Sequence, residues 1–328
     1  MIEQIQKWLA AALFRRLSPT ARVTLVRDFS SVDDLAKNLP LYMLKPLIFD
    51  AAKRTGIMSI GVLGDYGPIE GSARDRVIMR QYVTTGTWSP EFQDEIISRI
   101  FQVAGGTFVD VGANIGLTSI PTARRFGARC IAIEPDPHNL RYLRNNIELN
   151  GLQELIRVIH SAASDTAGEL DFELSPDNLG DHRIRRAGVA PLVASAQDEA
   201  SRQVIQVPAK PLDELLAEFE LTHPLVVKID VQGAEPLVFK GGKETLAACD
   251  CVVVEYSPYT LARAGFTPAD FFSELPAFKL AEIHSFDLKE LNRPTRPFES
   301  KDELRSFCER LDPKPNPDIY FDLVLFRN

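Results

Sequence analysis

The stretch that decides the fold is Thr107-Phe-Val-Asp-Val-Gly-Ala-Asn-Ile-Gly116, which is followed by Ile131-Ala-Ile-Glu-Pro-Asp136. Its apolar, β-branched run ends at Gly112, which is typical of a buried parallel strand that feeds a tight turn. A predicted helix follows Gly116, so the turn gathers backbone N–H groups at the positive end of a helix. The next predicted strand ends at Glu134, where a carboxylate can accept both hydroxyls of a ribose. The segment therefore predicts a Rossmann-like site for a nucleoside.

The glycine spacing indicates which nucleoside fits this site. A dinucleotide site needs G-x-G-x-x-G, whose middle glycine lets the backbone approach a pyrophosphate. Here Asn114 stands at that place. S-adenosylmethionine has a ribose and an adenine but no phosphate, so it is the favoured cofactor, with Asp110 placed to hold its amino group directly or through water. A nicotinamide-dependent oxidoreductase is the alternative, and glycines that only shape a turn are the purely structural interpretation.

From residue 75 onward, predicted strands and helices alternate, which indicates the α/β class. We expect a mostly parallel, seven-stranded sheet with helices on both faces. Beyond the first two strands, it is built from residues 156–160, 224–231, 251–256, 278–284 and 319–326, the last two pairing as an antiparallel edge. Residues 169–210 form an excursion that is long for a loop in a compact domain, so we predict a substrate-side insertion there.

Residues 1–74 precede the alternating pattern and are predicted to form a helical N-terminal extension to the domain at 75–328, with helical spacing at 32–51 and a Gly-rich connection at 61–71. Residues 1–17 carry apolar side chains near helical spacing, but the positive charges come after them, unlike a signal peptide. Packing of this helix on the protein or on a second subunit, as in a homodimer, is favoured over contact with a membrane surface.

The charge balance and the cysteines bear on partners and location. A net charge of −8 over 328 residues argues against nucleic acid as a partner, because phosphate binding needs a basic face. The four cysteines, which form no C-x-x-C pair, are expected to be small buried hydrophobes in a reducing, cytoplasmic compartment. No apolar run reaches the ~20 residues that cross a bilayer.

Six motifs occur in an order and spacing that resemble the FkbM family of S-adenosylmethionine-dependent methyltransferases. They are Val109-Asp-Val-Gly-Ala-Asn-Ile-Gly116, Ile133-Glu-Pro-Asp136, Asn145-Asn-Ile-Glu-Leu-Asn150, Asn178-Leu-Gly180 with Arg183, Pro211-Leu-Asp-Glu-Leu215 and Lys228-Ile-Asp-Val-Gln-Gly-Ala-Glu235. The resemblance runs from about residue 75 to 260. It implies a class I methyltransferase fold and O-methylation of a hydroxyl on a sugar, a glycan or lipid, or a polyketide-type small molecule. One departure is Gln232, where the family usually has glutamate.

The candidates for catalysis lie where the ligand site of an open parallel sheet is found, at the carboxyl ends of strands. Asp230 is the first choice, as a base or as the group that orients the methionine end of the cofactor; a cap of the following turn is its structural alternative. Glu255 can act beside it. His182, in the excursion, is a candidate base or substrate clamp, or simply a surface histidine. Asp230 and Glu255 can also pair on a divalent cation, but nothing in the spacing requires one, so no metal is predicted.

The predicted cofactor contacts share the ends of the first strands and the turns after them. They are Asp110, Gly112, Asn114, Gly116, Glu134, Pro135, Ser161, Ala162 and Asp230, with the backbone of the Ser161–Ala162 pair near the adenine. Arg183, Arg185 and Arg186 either receive an anionic or sugar-rich acceptor or form a solvated charge run. A protein that binds the cofactor without catalysis, such as a partner subunit, stays open because Gln232 removes a charge.

Overall fold

The computed structural model describes residues 23–24, 45–46, 49–50, 52, 56–102, 104–186, 202–284, 297–311 and 319–327. The helix expected at 1–17 and most of the one expected at 32–51 lie outside these residues. Among the described helices, each is too short or too polar to span a bilayer.

The strands of the described chain fall into three sheets. In chain order they are β1 (Val23–Thr24), β2 (Ser59–Gly64), β3 (Gly67–Ser72), β4 (Thr107–Val111), β5 (Arg129–Ile133), β6 (Ile156–Ile159), β7 (Ala162–Ser164), β8 (Gly168–Leu174), β9 (Arg183–Ile184), β10 (Gln203–Pro211), β11 (Leu225–Ile229), β12 (Cys251–Tyr256), β13 (Leu280–His284) and β14 (Phe321–Phe326).

The helices are short, and most of them connect strands. They are α1 (Ile78–Thr85), a π-helix (Phe92–Ile97) continued by α2 (Ser98–Ile100), α3 (Ser119–Phe126), α4 (Pro137–Leu149), α5 (Leu212–Leu216), α6 (Glu235–Gly241), α7 (Lys243–Ala248), α8 (Pro258–Arg263), α9 (Pro268–Glu274) and α10 (Lys301–Leu311).

The central sheet has seven strands in the order β13-β14-β12-β11-β4-β5-β6. All are parallel except β14, which pairs antiparallel with both β12 and β13. The predicted seven-stranded sheet and its antiparallel edge pair are therefore confirmed. The chain runs outward from β4 through β5 and β6, then returns to β11 on the other side of β4. This reversal makes the gap between β4 and β11 the switch point, where ligands of open α/β sheets bind.

Two apolar clusters cover the two faces of this sheet. Consecutive residues of one strand belong to different clusters. Phe108 packs in one cluster and Val109 in the other, and on the neighbouring strand Val226 and Val227 divide in the same way. All four cysteines are buried and free, as expected from their apolar surroundings. Continuous burial on both faces explains why these strands read as unbroken apolar runs.

The excursion after β6 folds as a second sheet in the order β7-β10-β8-β9, in which β8 and β10 pair antiparallel over seven residues. Its loop between β8 and β9 reaches back to the turn after β4, because the Asn114 side chain donates to the Leu179 carbonyl at 2.9 Å. The insertion therefore forms one wall of the site at the switch point.

The Gly-rich stretch expected to be a connection is instead a β-hairpin, β2 and β3. Asn146 of α4 holds it, since its side chain accepts from the Glu70 N–H at 2.7 Å and donates to the Glu70 and Ile115 carbonyls at 2.9 and 3.0 Å. Glycine is needed for close approach: a Cβ on Gly71 would lie 2.7 Å from the Met79 sulfur. The sequence-based interpretation was wrong because glycines that permit tight packing look like glycines that permit flexibility.

Candidate active site

The turn after β4 brings the ends of two strands into direct contact. Gly112 has φ +85°, and a Cβ there would lie 2.0 Å from the carbonyl oxygen of Asp230, the residue that follows β11. Glycine is therefore required both by conformation and by space. The Asp230 N–H donates to the Val111 carbonyl at 3.0 Å, which continues the ladder between the two strands. Asp230 and the glycine turn consequently share one end of the sheet, as the sequence predicted.

Asn114 and Glu134 are joined across the same turn. Asn114 has φ +52°, an uncommon conformation for a residue other than glycine. Its N–H donates to Glu134 Oε2 at 2.8 Å, and the Asp136 N–H donates to Glu134 Oε1 at 2.8 Å. Glu134 is only 3% exposed, and burial raises its pKa to about 8, to which the negative charge of Asp136 adds. Two backbone donors thus aim this carboxylate, and each oxygen keeps a lone pair for a ligand.

The predicted nucleoside contacts Glu134, Pro135, Ser161 and Ala162 line one narrow cavity of about 50 Å³. His160 donates to the Pro135 carbonyl at 3.0 Å, which ties the segment after β5 to the end of β6. The structure therefore brings these residues together.

His182 lies in this narrow cavity rather than beside Glu255. Its Nδ1 accepts from the Ser175 N–H at 2.9 Å, and its Nε2 lies 3.6 Å from the Asp136 carboxylate. Burial lowers its pKa to about 4 against the opposing charge of Asp136. His182 is therefore not a surface histidine, and it lies apart from the acid pair, while its role as a base or substrate clamp stays a prediction. The turn between β8 and β9 folds it inward as a wall of the cavity.

Asp110 is fully buried, and one of its carboxylate oxygens accepts from the hydroxyls of Thr118 and Ser119 at the start of α3. Its other oxygen lies 3.5 Å from Lys228 Nζ. Asp110 stands behind the turn and lines neither cavity, and its Oδ1 accepts no hydrogen bond from the described residues, so its contact with the cofactor's amino group, directly or through water, stays a prediction. It holds the helix start and the lysine in place.

A larger cavity of about 590 Å³ opens at the switch point and contains the acid pair Asp230 and Glu255. Lys228 Nζ lies 3.4 Å from Asp230 Oδ2, while Gln232 Nε2 donates to Asp230 Oδ1 at 3.0 Å and to Glu255 Oε2 at 2.9 Å. Asp322 of β14 stands opposite Glu255 in the sheet and lines the same cavity. The structure thus brings together the two predicted acids and adds Lys228 and Asp322, which the prediction did not place there.

The acids of this cavity do not share one protonation state. Burial raises the pKa of Glu255 well above its usual value, and the charge of Asp230 adds to the effect. Burial and Asp230 raise the pKa of Asp322 to about 7. Burial by itself lowers the pKa of Lys228, but Asp230 and Asp110 outweigh it and the pKa is raised, so the ammonium persists. Around neutral pH, the cavity therefore holds a firm cation at Lys228, a Glu255 inclined to keep its proton and an Asp322 divided between its two forms.

Lys228 and Asp322 escaped the prediction, although the sequence carried a signal for each. Both are charged residues inside strands that are otherwise continuously apolar. A charge in a strand covered on both faces needs a partner or a functional site at the strand end. Among the described residues, no group of three or more His, Cys, Asp or Glu side chains has the arrangement of a metal site.

The remaining walls of the large cavity are aromatic and polar. Trp88 and Phe92 come from the segment after α1, Tyr259 from α8, and Tyr320 from the start of the last strand. Each non-glycine residue with positive φ in the described chain, namely Ser89, Asn114 and Gln232, lines this cavity. Such conformations cost about 1–3 kcal/mol each and cluster where a site requires them.

The three arginines of the insertion do not face either cavity. Arg183 and Arg185 pair with Glu173 at 2.7 and 2.8 Å, and Arg186 stacks its guanidinium 4.0 Å from the Phe266 ring centroid. Arg183 is also buried. Neither an acceptor-binding cluster nor a solvated charge run describes them, because each is engaged in packing the insertion.

Comparison with known proteins gives matches in the same region of the chain as the motifs. The sequence profile of the "Methyltransferase FkbM domain" matches residues 110–290, more than half of the chain. The chain is 30% identical over 184 residues to the 2-O-methyltransferase NoeI of Sinorhizobium fredii, an alignment that covers 52% of this chain and 72% of that protein. It is 28% identical over 185 residues to the hexuronic acid methyltransferase AglP of Haloferax volcanii, covering 56% of this chain and 65% of that protein.

Among solved structures, a precorrin-6Y C5,15-methyltransferase from Geobacter metallireducens aligns with a TM-score of 0.36 at 10% identity, over 73% of this chain and 88% of that one. The assignment of the fold rests on the chain's own sheet order.

Proposed function

The chain belongs to the FkbM family of S-adenosylmethionine-dependent methyltransferases, and we propose that it methylates a hydroxyl group of a sugar residue in a glycan or glycolipid. Methyl transfer, and not the hydride transfer of a nicotinamide-dependent oxidoreductase, is the chemistry of this family. The observation that carries the proposal is the large cavity at the switch point, where the carboxyl group of Asp230 and aromatic walls adjoin the Glu134 turn.

The residues fit the cofactor at its sugar and at its charged sulfur. Glu134 is aimed by two backbone N–H groups and keeps lone pairs for the ribose hydroxyls. Gly112, Asn114 and Gly116 shape the turn under it, and Pro135, Ser161 and Ala162 line the narrow cavity for the base. Asp230 lines both cavities, so its carboxylate faces the place where the two halves of the ligand meet.

When bound, the cofactor supplies a methyl group already activated by its positive sulfur. The protein's part is to hold an acceptor hydroxyl in line with that methyl group and to take up the hydroxyl proton. Asp230 is the base in this proposal: its side chain is 37% exposed, and Lys228 and Gln232 fix one oxygen each. Glu255, which tends to remain protonated, can hydrogen-bond the acceptor without competing for the proton.

The relatives and the cavity walls favour a sugar over a polyketide as acceptor. One relative is described as a 2-O-methyltransferase and the other as a hexuronic acid methyltransferase. Trp88 and Tyr320 line the cavity as aromatic walls against which the C–H face of a sugar can pack, while the acids meet its hydroxyls.

Other expectations stay predictions. They are the domain boundary near residue 75, a homodimer, a cytoplasmic location, no nucleic-acid partner, and no metal requirement.

The test is methyl transfer from isotope-labelled S-adenosylmethionine to a panel of p-nitrophenyl glycosides, including glucuronide, glucoside and fucoside, read by mass spectrometry as a gain of one methyl group. We expect turnover on at least one glycoside, loss of that turnover in Asp230→Asn, and no loss in Glu154→Gln, an exposed acid far from the site. Binding of S-adenosylhomocysteine without turnover on any glycoside would instead support a sugar-independent acceptor or a non-catalytic partner subunit.

A further inference from the structure

The side-chain amide of Gln232 is shared by the two acids of the large cavity. One nitrogen, Nε2, lies 3.0 Å from Asp230 Oδ1 and 2.9 Å from Glu255 Oε2. Both partners are carboxyl groups, so the NH₂ end of the amide faces them and spends one N–H on each. Because the two carboxyl oxygens share one donor nitrogen, the distance between them cannot exceed the sum of these two hydrogen-bond lengths. Gln232 therefore fixes the spacing of the pair.

The backbone around Gln232 is built to hold this amide in place. Gln232 has φ +56° and is followed by Gly233 with φ +103°, where a Cβ would lie 2.2 Å from the Thr260 carbonyl oxygen. The turn is therefore pinned between β11 and α8. A left-handed conformation at a residue other than glycine is a cost that the surrounding structure must enforce. Here it turns the side chain toward both acids rather than along the strand.

We propose that Gln232 is the positioning residue of the acid pair, a neutral double donor that fixes the spacing and orientation of the Asp230 and Glu255 carboxyl groups. The proposal rests on the proposed function, because it assigns the base of that same site. In this role Gln232 acts through the two acids that its amide holds.

The charges around the pair explain why a neutral donor suits this position. Charged groups surround it: Lys228 from β11, Glu235 from α6, Asp322 from β14 and His284 from β13, with Asp110 behind the turn and the ion pair of Arg263 and Asp181 in the cavity wall. Acids outnumber cations in this set, and two close carboxyl groups do not both ionise readily. Burial and Asp230 already raise the pKa of Glu255. A glutamate at 232 would remove both N–H donors and add a third acid, which must bind an extra proton to restore one hydrogen bond.

The first experiment compares Gln232→Glu, which keeps the shape of the side chain, with Gln232→Ala, which removes it. For the glycoside that the wild type methylates, the ratio of Gln232→Glu to wild-type kcat should rise as the pH falls from 8.5 to 6, by about tenfold per pH unit above the pKa of the new carboxyl. Gln232→Ala has no group to protonate, so its ratio to wild type should stay low and flat. A purely structural role would lower both ratios without any pH dependence.

A second readout needs no acceptor. Calorimetric titration in buffers of different ionisation enthalpy counts the protons released when S-adenosylmethionine binds. The cationic sulfur favours the anionic forms of nearby acids, so at pH 7 Gln232→Glu should release more protons than wild type. With S-adenosylhomocysteine, whose sulfur carries no charge, the two proteins should release equal numbers of protons and bind with affinities within about threefold, which shows that the variant is folded.

Proton release that is identical in the variant and the wild type, or a flat activity ratio for Gln232→Glu, overturns the role of Gln232 and leaves the proposed function intact. Absence of turnover in the wild type with every glycoside overturns the proposed function, while the calorimetric comparison still decides the role of Gln232. Wild-type activity in Gln232→Ala overturns the inference as well.

Discussion

Replacement of Glu134 by alanine tests whether this carboxylate holds the ribose. In the structure it accepts from two backbone N–H groups at 2.8 Å and keeps lone pairs toward the narrow cavity. Hydrogen bonds to a charged group contribute about 1.5–3 kcal/mol each, so losing both ribose contacts should remove at least about 3 kcal/mol of binding energy. Because about 1.4 kcal/mol is tenfold in Kd, the full loss is about 100-fold.

The raised pKa gives this loss a pH dependence of definite sign. The pKa of Glu134 is about 8, so at pH 7 the carboxyl is mostly protonated in the free protein. At a pH below the pKa, ionising this carboxyl group costs about 1.4 kcal/mol for each pH unit, and the binding free energy of the cofactor is weakened by that amount. The affinity ratio between wild type and Glu134→Ala should therefore be only about tenfold at pH 7 and approach 100-fold at pH 9.

The assay is isothermal titration with S-adenosylhomocysteine at pH 7, 8 and 9, at a temperature well below unfolding. Low temperature matters because the variant leaves two N–H groups without their acceptor, which destabilises the fold by about 1–3 kcal/mol for each. Glu154→Ala, at an exposed acid, controls for loss of net charge. A Kd for Glu134→Ala within twofold of wild type at pH 9, in protein with a native circular dichroism spectrum, would refute the reasoning.

Three further outcomes follow from packing and burial. Gly112→Ala should lower the free energy of unfolding in urea by at least about 3 kcal/mol, because its Cβ would lie 2.0 Å from the Asp230 carbonyl oxygen. The control is Gly127→Ala, which also has a positive φ but no atom within 4 Å of its Cβ, and its free energy of unfolding should fall by only about 1 kcal/mol. Asp181→Ala should destabilise by about 3–5 kcal/mol, since the two buried arginines Arg202 and Arg263 lose the carboxylate they donate to, and equal melting temperatures for variant and wild type would contradict this. Burial lowers the pKa of His182 to about 4 in the folded chain, so only the unfolded chain takes up the proton as the pH drops from about 6.5 to 4. The free energy of unfolding should therefore fall by about 3 kcal/mol over that window. Urea unfolding of His182→Gln should show a correspondingly shallower pH dependence.

The strand, turn and helix around the nucleoside site were predictable because their signals are local. Continuous apolar runs, the glycine turn and the acid after the second strand each depend on residues close in sequence. The insertion was also predictable as a feature, because its length alone sets it apart from an ordinary loop. Its internal contacts were not, since the partners of Arg183 and Arg186 lie on other elements.

By itself, the sequence determined the fold class, the cofactor and the acids at the strand ends, since each follows from short-range periodicity and from the order of motifs. Only the tertiary structure decided how those acids are used. It set Lys228 between Asp110 and Asp230, brought Asp322 next to Glu255, and turned Gln232 toward both acids of the pair. These contacts depend on which strands become neighbours and on a single left-handed residue. Strand order is fixed by packing over the whole sheet, and no local pattern in the chain records it.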